Sequence, residues 1–291
     1  MSTPSTRPVV PLLHSLRAVF NILVNGPTAT VTKRSDFIQQ LRKWKNELRS
    51  ADEVIKDGMN PEVLAIMKKK QLALIRKLIA EIKFDDPSLF NDLVSGFKVI
   101  GPLPECGEFP PQPRAEALDV EELFTISKWA RKAVKGYLRR TMDDEALAYK
   151  ESMKEVEEHG TLKGPYTDEQ VEEVVGPLFI PNPRFVIDQG GKKRPVDDGS
   201  VYKQNATISV PWKLQLGGVD EIVAIAITIL RCVDGSRNVR IKLPSGVILE
   251  GTLSPEWSLE DVRELVGRLG DMKGAYRQLA SYPGHRYASV V

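Results

Sequence analysis

Leu269-Gly270-Asp271-Met272-Lys273-Gly274-Ala275-Tyr276-Arg277-Gln278-Leu279 is the stretch that decides how the rest of the chain reads. An acid, Asp271, closes an apolar run. An aromatic residue, Tyr276, follows once the backbone has had room to turn at Gly274-Ala275. A carboxylate so placed suits a metal, because hard divalent ions take oxygen donors. A ring so placed can pack under a sugar and clash with a 2′-hydroxyl. On spacing alone, the pair reads better as a turn cap and a half-buried aromatic. The order of its neighbours therefore carries more information than the pair itself.

Upstream, Arg184-Phe185-Val186-Ile187-Asp188 and Lys193-Arg194-Pro195-Val196-Asp197 flank Gln189-Gly190-Gly191-Lys192. This pattern predicts a hairpin with a glycine turn. Lys193 and Arg194 leave that turn together. Pro195 biases Arg194 towards extended backbone. Arg offers a planar fork to phosphate and Lys a point charge, so the tip could fold over a triphosphate. The other reading is a basic turn in solvent. Asp197-Asp198 could do acid–base or metal work. Their spacing to Asn205 instead predicts a turn in which Asp198 and Asn205 hold backbone amides.

The front half reads as helical. Ser35 is placed to cap a helix whose Phe37, Leu41, Trp44 and Leu48 share one face. Asn60-Pro61 opens a second helix through Met67, Leu74, Leu78 and Ile82. The Lys68-Lys69-Lys70 triplet within it reads as a solvated face rather than a phosphate contact. Asp86-Pro87 starts a short helix ending near Gly96. The prolines between Gly101 and Pro113 predict an extended strap. Val120 to Arg140 reads as a helix buried along Leu123, Ile126, Trp129, Ala133 and Tyr137. Asp143 to Glu158 reads as another, closed by Gly160. Thr167-Asp168-Glu169-Gln170 is a capping box. In the back half, Val219 to Val233 reads as a buried helix, with a strand as the alternative because of its β-branched residues, and Pro244-Ser245-Gly246 joins a second hairpin. Ser258 to Asp261 is placed to cap one more helical turn.

Composition excludes several classes. With 42% hydrophobic residues the 291-residue chain can build a core, and its net charge of +2 gives no bulk attraction to nucleic acid. Two distant cysteines, Cys106 and Cys232, argue against a disulfide framework. The scattered His14, His159 and His285 do not form a zinc pattern. The run from Ile222 to Leu230 is too short to span a bilayer, so no membrane association is expected. No Asp or Glu occurs in the first 35 residues. That leader reads as flexible and basic apart from a short apolar helix near Leu12 to Val24, with an organelle transit peptide as the alternative. The expected setting is intracellular, nuclear or cytoplasmic.

Taken in order, these motifs resemble reverse transcriptases. Lys193-Arg194-Pro195-Val196-Asp197-Asp198 followed by Asn205 looks like that family's fingers motif, K-x-R-(V/I)-x-D…N. Gly270-Asp271-Met272-Lys273-Gly274-Ala275-Tyr276-Arg277-Gln278-Leu279 looks like its first palm motif, and Tyr287-Ala288-Ser289-Val290-Val291 like the strand that returns after it. Gly160-x4-Pro165-Tyr166 is similar to a retroelement feature, and Trp129 to Ala133 to a pattern in the reverse-transcriptase-like reading frames of dinoflagellates. One departure is Gly199, where the family carries Phe.

The resemblance implies an α+β chain: a helical N-terminal region, then a partial right-hand polymerase with fingers and the start of a palm. The expected divisions are 1–35, 36–160 and 161–291. It implies RNA-directed DNA polymerase ancestry and two-metal nucleotidyl transfer with magnesium in intact relatives. The implied partners are an RNA or DNA primer–template and deoxynucleoside triphosphates. Asp271 would be the catalytic metal ligand, Tyr276 the sugar-sensing gate, and Lys193 and Arg194 the triphosphate contacts. The family also uses a later Tyr-x-Asp-Asp element, which these residues lack. The expectation is a truncated form, inactive alone. The alternative is a non-catalytic nucleic-acid or protein interaction module derived from a retroelement.

Overall fold

A computed structural model describes residues 13–107, 109–135, 142–160, 162–213, 219–264 and 278–291. Helices α1 (Leu13–Glu47), α2 (Arg49–Asp57), α3 (Pro61–Met67), α4 (Leu72–Glu81) and α5 (Leu89–Ser95) come first. Strand β1 (Pro111–Arg114) precedes α6 (Val120–Thr125), α7 (Ser127–Val134), α8 (Met142–Lys154) and α9 (Asp168–Val175). Then come β2 (Arg184–Gln189), β3 (Lys192–Asp197), β4 (Val210–Trp212), α10 (Val219–Arg231), β5 (Asn238–Lys242) and β6 (Ile248–Thr252). The strands pair antiparallel as β1–β4, β2–β3 and β5–β6. The class is mixed α+β.

Two compact units divide the chain: residues 1–47 with 215–271, and residues 48–214 with 272–291. The cuts fall at neither 35 nor 160, because each unit is assembled from segments far apart in sequence.

In the first unit, α1 kinks at Gly26 (φ 83°) and resumes at Pro27. Any Cβ at Gly26 would sit 2.5 Å from the Ser254 hydroxyl, so both the turn and the close approach require glycine. The Glu256 carboxylate accepts the Thr28 amide at 3.0 Å, which caps the second segment from elsewhere in the unit. That segment therefore begins at Pro27 rather than at Ser35. The first segment forms where the leader was expected to carry a short apolar helix, near Leu12 to Val24. Leu16 and Leu23 on it pack with Cys232, Val239, Ile241, Leu243, Leu253 and Val262. Val239 and Ile241 are the inward positions of β5, set by the two-residue period of a strand.

The second unit has two clusters. Met59, Val63, Met67, Leu72, Leu93 and Ala280 form one. The helix expected from Pro61 to Ile82 is broken between α3 and α4, at Lys68–Gln71. The break lets the two helices turn separate faces, Val63 and Met67 on one and Leu72 and Ala73 on the other, into the core. Ile100, Leu123, Ala130, Ile180, Tyr202 and Ala288 form the other cluster. The helix expected over 120–140 breaks at Ile126, and this rotates the stripe. Ser127 and Ala130 face inward, while Trp129 is 61% exposed. Tyr137 lies outside the described residues.

Asp52 is buried in this unit. It accepts the Ala73 amide at 2.9 Å and pairs with Lys56 at 2.6 Å, tying α2 to the start of α4. Asp52→Ala leaves a buried amide without its acceptor and a half-buried ammonium without its counter-charge. The expected loss is about 2–3 kcal/mol, read by urea denaturation.

Candidate phosphate-facing hairpin

Strands β2 and β3 register Arg184↔Asp197, Phe185↔Val196, Val186↔Pro195, Ile187↔Arg194, Asp188↔Lys193 and Gln189↔Lys192. The two-residue connection is Gly190 (φ 64°) and Gly191 (φ 84°). Both central residues need positive φ in the tight turn whose twist matches the strands, which is why a glycine pair stands there. Asp188 strengthens the turn by accepting the Gly191 amide at 2.7 Å.

Residues directly opposite in this register share a face. One face carries Arg184, Val186, Lys193 and their partners. Against it lies α8. The Arg184 guanidinium holds both oxygens of Asp197, at 2.6 and 2.9 Å, and donates to the Ser152 hydroxyl at 2.9 Å. Glu155 lies 3.8 Å away. Burial pulls the Arg184 pKa down, but the hydrogen bond to Asp197 and the charges of Asp197 and Glu155 more than offset it, so the net direction is up. Val186 is fully buried on this face, and Lys193 reaches Asp144 of α8 at 2.8 Å.

Arg194 is on the opposite face, as is Lys192 two positions away. Both are exposed. The structure therefore separates the two expected triphosphate contacts. Lys193 is turned to α8, whereas Arg194 shares an outward face with Lys192, the residue that flanks the expected pair. The signal that finds Lys192 is the strand period: it pairs i with i+2, not i with i+1.

Asp198 behaves as expected and accepts the Ser200 amide at 3.0 Å. Asn205 departs from expectation. Its side chain donates to the Ser200 hydroxyl at 2.9 Å, and its own amide donates to the Gly199 carbonyl at 2.9 Å. Lys70 is bound to Gln278, and the Lys68 carbonyl accepts from Lys56, so this part of the lysine triplet serves the fold.

Asp271 and Tyr276 lie outside the described residues. The stretch that follows them does not. Ile180 donates to the Tyr287 carbonyl at 2.8 Å and Asn182 to the Val290 carbonyl at 2.6 Å, with Pro181 and Val290 bridged in parallel. The Asn182 side chain adds a bond to the Ala288 carbonyl at 2.8 Å. Phe97 donates its amide to the Ala280 carbonyl at 2.7 Å, and its own carbonyl accepts the Tyr282 amide at 2.8 Å. The residues after the Asp271 motif are thus joined to the strip that enters the basic hairpin.

Among the described residues, no group of three His, Cys, Asp or Glu side chains could hold a metal ion. The magnesium implied by the resemblance finds no ligand cage among them. Among the described residues, no helix is long and apolar enough to cross a membrane. No family model, curated protein or solved structure matches the chain.

Removing Arg184 should loosen the hairpin at its base. Arg184→Ala is expected to cost about 2 kcal/mol, since it leaves Asp197 and Glu155 without their shared cation. Arg184→Lys, lacking the fork, should recover less than half of that. Trypsin cutting at Lys192–Arg194 should accelerate in both variants, with Arg184→Ala the faster.

Proposed function

We propose that the chain is a reverse-transcriptase-like protein whose β2–β3 hairpin contacts the phosphates of a nucleic acid or deoxynucleoside triphosphate. Its ancestry is that of an RNA-directed DNA polymerase, and its own 291 residues contain no Tyr-x-Asp-Asp element to complete a two-metal site. One observation carries the reading. The segment after the Asp271 motif is hydrogen-bonded to residues 180–182, directly ahead of the hairpin, although about a hundred positions separate the two in sequence. In the resemblance these are the two motifs that share a nucleotide.

Lys192 and Arg194 are the contacts on the outward face. Lys193 has a weaker claim, because phosphate must compete with Asp144. Exposed ion pairs are worth about 1 kcal/mol or less, so that competition is modest. The roles of Asp271 as metal ligand and Tyr276 as sugar gate belong to the same proposal and come from the resemblance alone.

Two cations neutralised by a single strand give a log–log salt slope of about −1.4, so affinity should fall about sevenfold between 50 and 200 mM salt. Filter binding of single-stranded RNA and DNA measures this. Lys192→Ala/Arg194→Ala should flatten the slope towards zero, with Lys193→Ala weaker in effect. Binding that ignores salt, or that survives the double variant unchanged, removes the phosphate role. Primer extension with magnesium should give no product. Incorporation that disappears in Asp271→Asn would instead restore an active polymerase.

A further inference from the structure

Helix α10 has no polar face. From Ile222 to Leu230 every residue is apolar except Thr228, whose hydroxyl donates to the Ala224 carbonyl at 2.8 Å. A helix that is apolar all round belongs in an interior. The chain covers only one side of this one, where Ile229 packs on the first unit's hydrophobic cluster beside the buried Cys232. The sequence predicts a buried helix, and the structure leaves its other side open. Val219 is 75% and Ile222 68% exposed, and Val223, Ile227 and Leu230 are exposed as well. Five large aliphatic side chains on one helix face form a patch of the kind that marks an interaction surface.

The order of these positions identifies the occupant. Val219, Val223, Ala226 and Leu230 follow at spacings of four, three and four, the pattern of a helix–helix seam. That spacing is the same read from either end. An identical helix running the opposite way therefore sets Val219 against Leu230 of the second copy and Val223 against Ala226. The two-fold axis passes between Ala224 and Ile225. The small Ala226 lets the helices approach, and Ile222 and Ile227 border the seam on its two sides. A two-fold interface requires a patch that complements itself in this way. Charge sets the direction. The acids of α10, Asp220 and Glu221, stand at its start, and its one base, Arg231, stands at its end and is exposed. Positions 220 and 231 are about three turns apart and share a flank. An antiparallel copy brings Arg231 to the acidic end of its neighbour, whereas a parallel copy sets like charge and like dipole end together.

We infer that α10 is a homodimerisation helix that pairs antiparallel with α10 of a second copy through Val219, Val223, Ala226 and Leu230. A single helix face is small for a protein interface, so the association is reversible and depends on concentration. The inference is independent of the phosphate reading, since α10 belongs to the first unit and the hairpin to the second.

Sedimentation velocity of the full chain over a range of concentrations tests it, with a monomer–dimer equilibrium expected. Val223→Asp puts a carboxylate into the seam twice per dimer and should raise the dissociation constant by about thirtyfold or more. Because Val223 faces solvent in the single chain, the same change should leave the melting temperature of the dilute protein within about 2 °C of its starting value. Arg231→Glu should weaken the dimer about fivefold by setting acid beside acid, and Asp220→Arg/Arg231→Glu should recover most of that loss. Direction is read by oxidation of single-cysteine variants against the parent chain. Val219→Cys mixed with Leu230→Cys should give a disulfide-linked pair. Each alone should not, because eleven residues at 1.5 Å hold it about 16 Å from its own copy. A monomer at every concentration overturns the proposal. So does a lowered melting temperature for dilute Val223→Asp, which would show the face covered within the chain. Failure of the double variant to recover, or cross-linking of either cysteine variant with itself, overturns it as well.

Discussion

The pairing of residues 180–182 with 287–290 is the constraint on which the site depends. It closes a loop of about a hundred residues, and the entropy of closure must be recovered by what the closure buries. Ile180 and Ala288 do that recovering, in one cluster with Leu123, Ala130 and Tyr202. Ser127, fully buried, donates to the Phe179 carbonyl and holds the approach to the same strip. The strip then runs through Pro183 into β2. The hairpin's place is therefore fixed at its root by backbone bonds, and at its face by Arg184 and α8. The tip is held by neither and carries the exposed cations.

Strand alternation gives the three adjacent basic residues different tasks. Lys193 is turned to α8 and pairs with Asp144, so it contributes to how the hairpin lies. Lys192 and Arg194 are turned away and contribute charge to whatever approaches from outside. A run of like charges on a strand is never one patch, because its members divide between two faces. Here the division leaves a Lys and an Arg together, a point charge beside a planar fork, which suits phosphate better than either alone.

Features set by local chemistry could be read in the sequence. Thr167 and Gln170 form the reciprocal cap their spacing predicts, Asn60 accepts the Glu62 amide ahead of α3, and Gly190-Gly191 makes the expected turn. Gly160 ends its helix in the left-handed conformation, as a glycine after a polar helix should. What could not be read depends on distant partners. The start of the second segment of α1 is set by Glu256, and of the stripe expected along it Phe37 is exposed while Leu41, Trp44 and Leu48 are partly buried. The break at Ile126 turns Trp129 outward and gives its expected place to Ala130. Asp52 gave no signal at all, because a buried acid on a charged helix looks like any exposed one. Of the candidate site, the hairpin was legible down to its register. The facing of its side chains was legible in principle from the two-residue period, and the link to residues 287–290 was not.

Photo-crosslinking with an azido-substituted deoxynucleoside triphosphate, followed by peptide mapping, tests the central claim most directly. Label is expected in the tip peptide containing Lys192 and Arg194 and in the peptide spanning Asp271 to Gln278, with both signals reduced by competing unmodified triphosphate. Label confined to other peptides, or label that competition leaves unchanged, would contradict a shared nucleotide site.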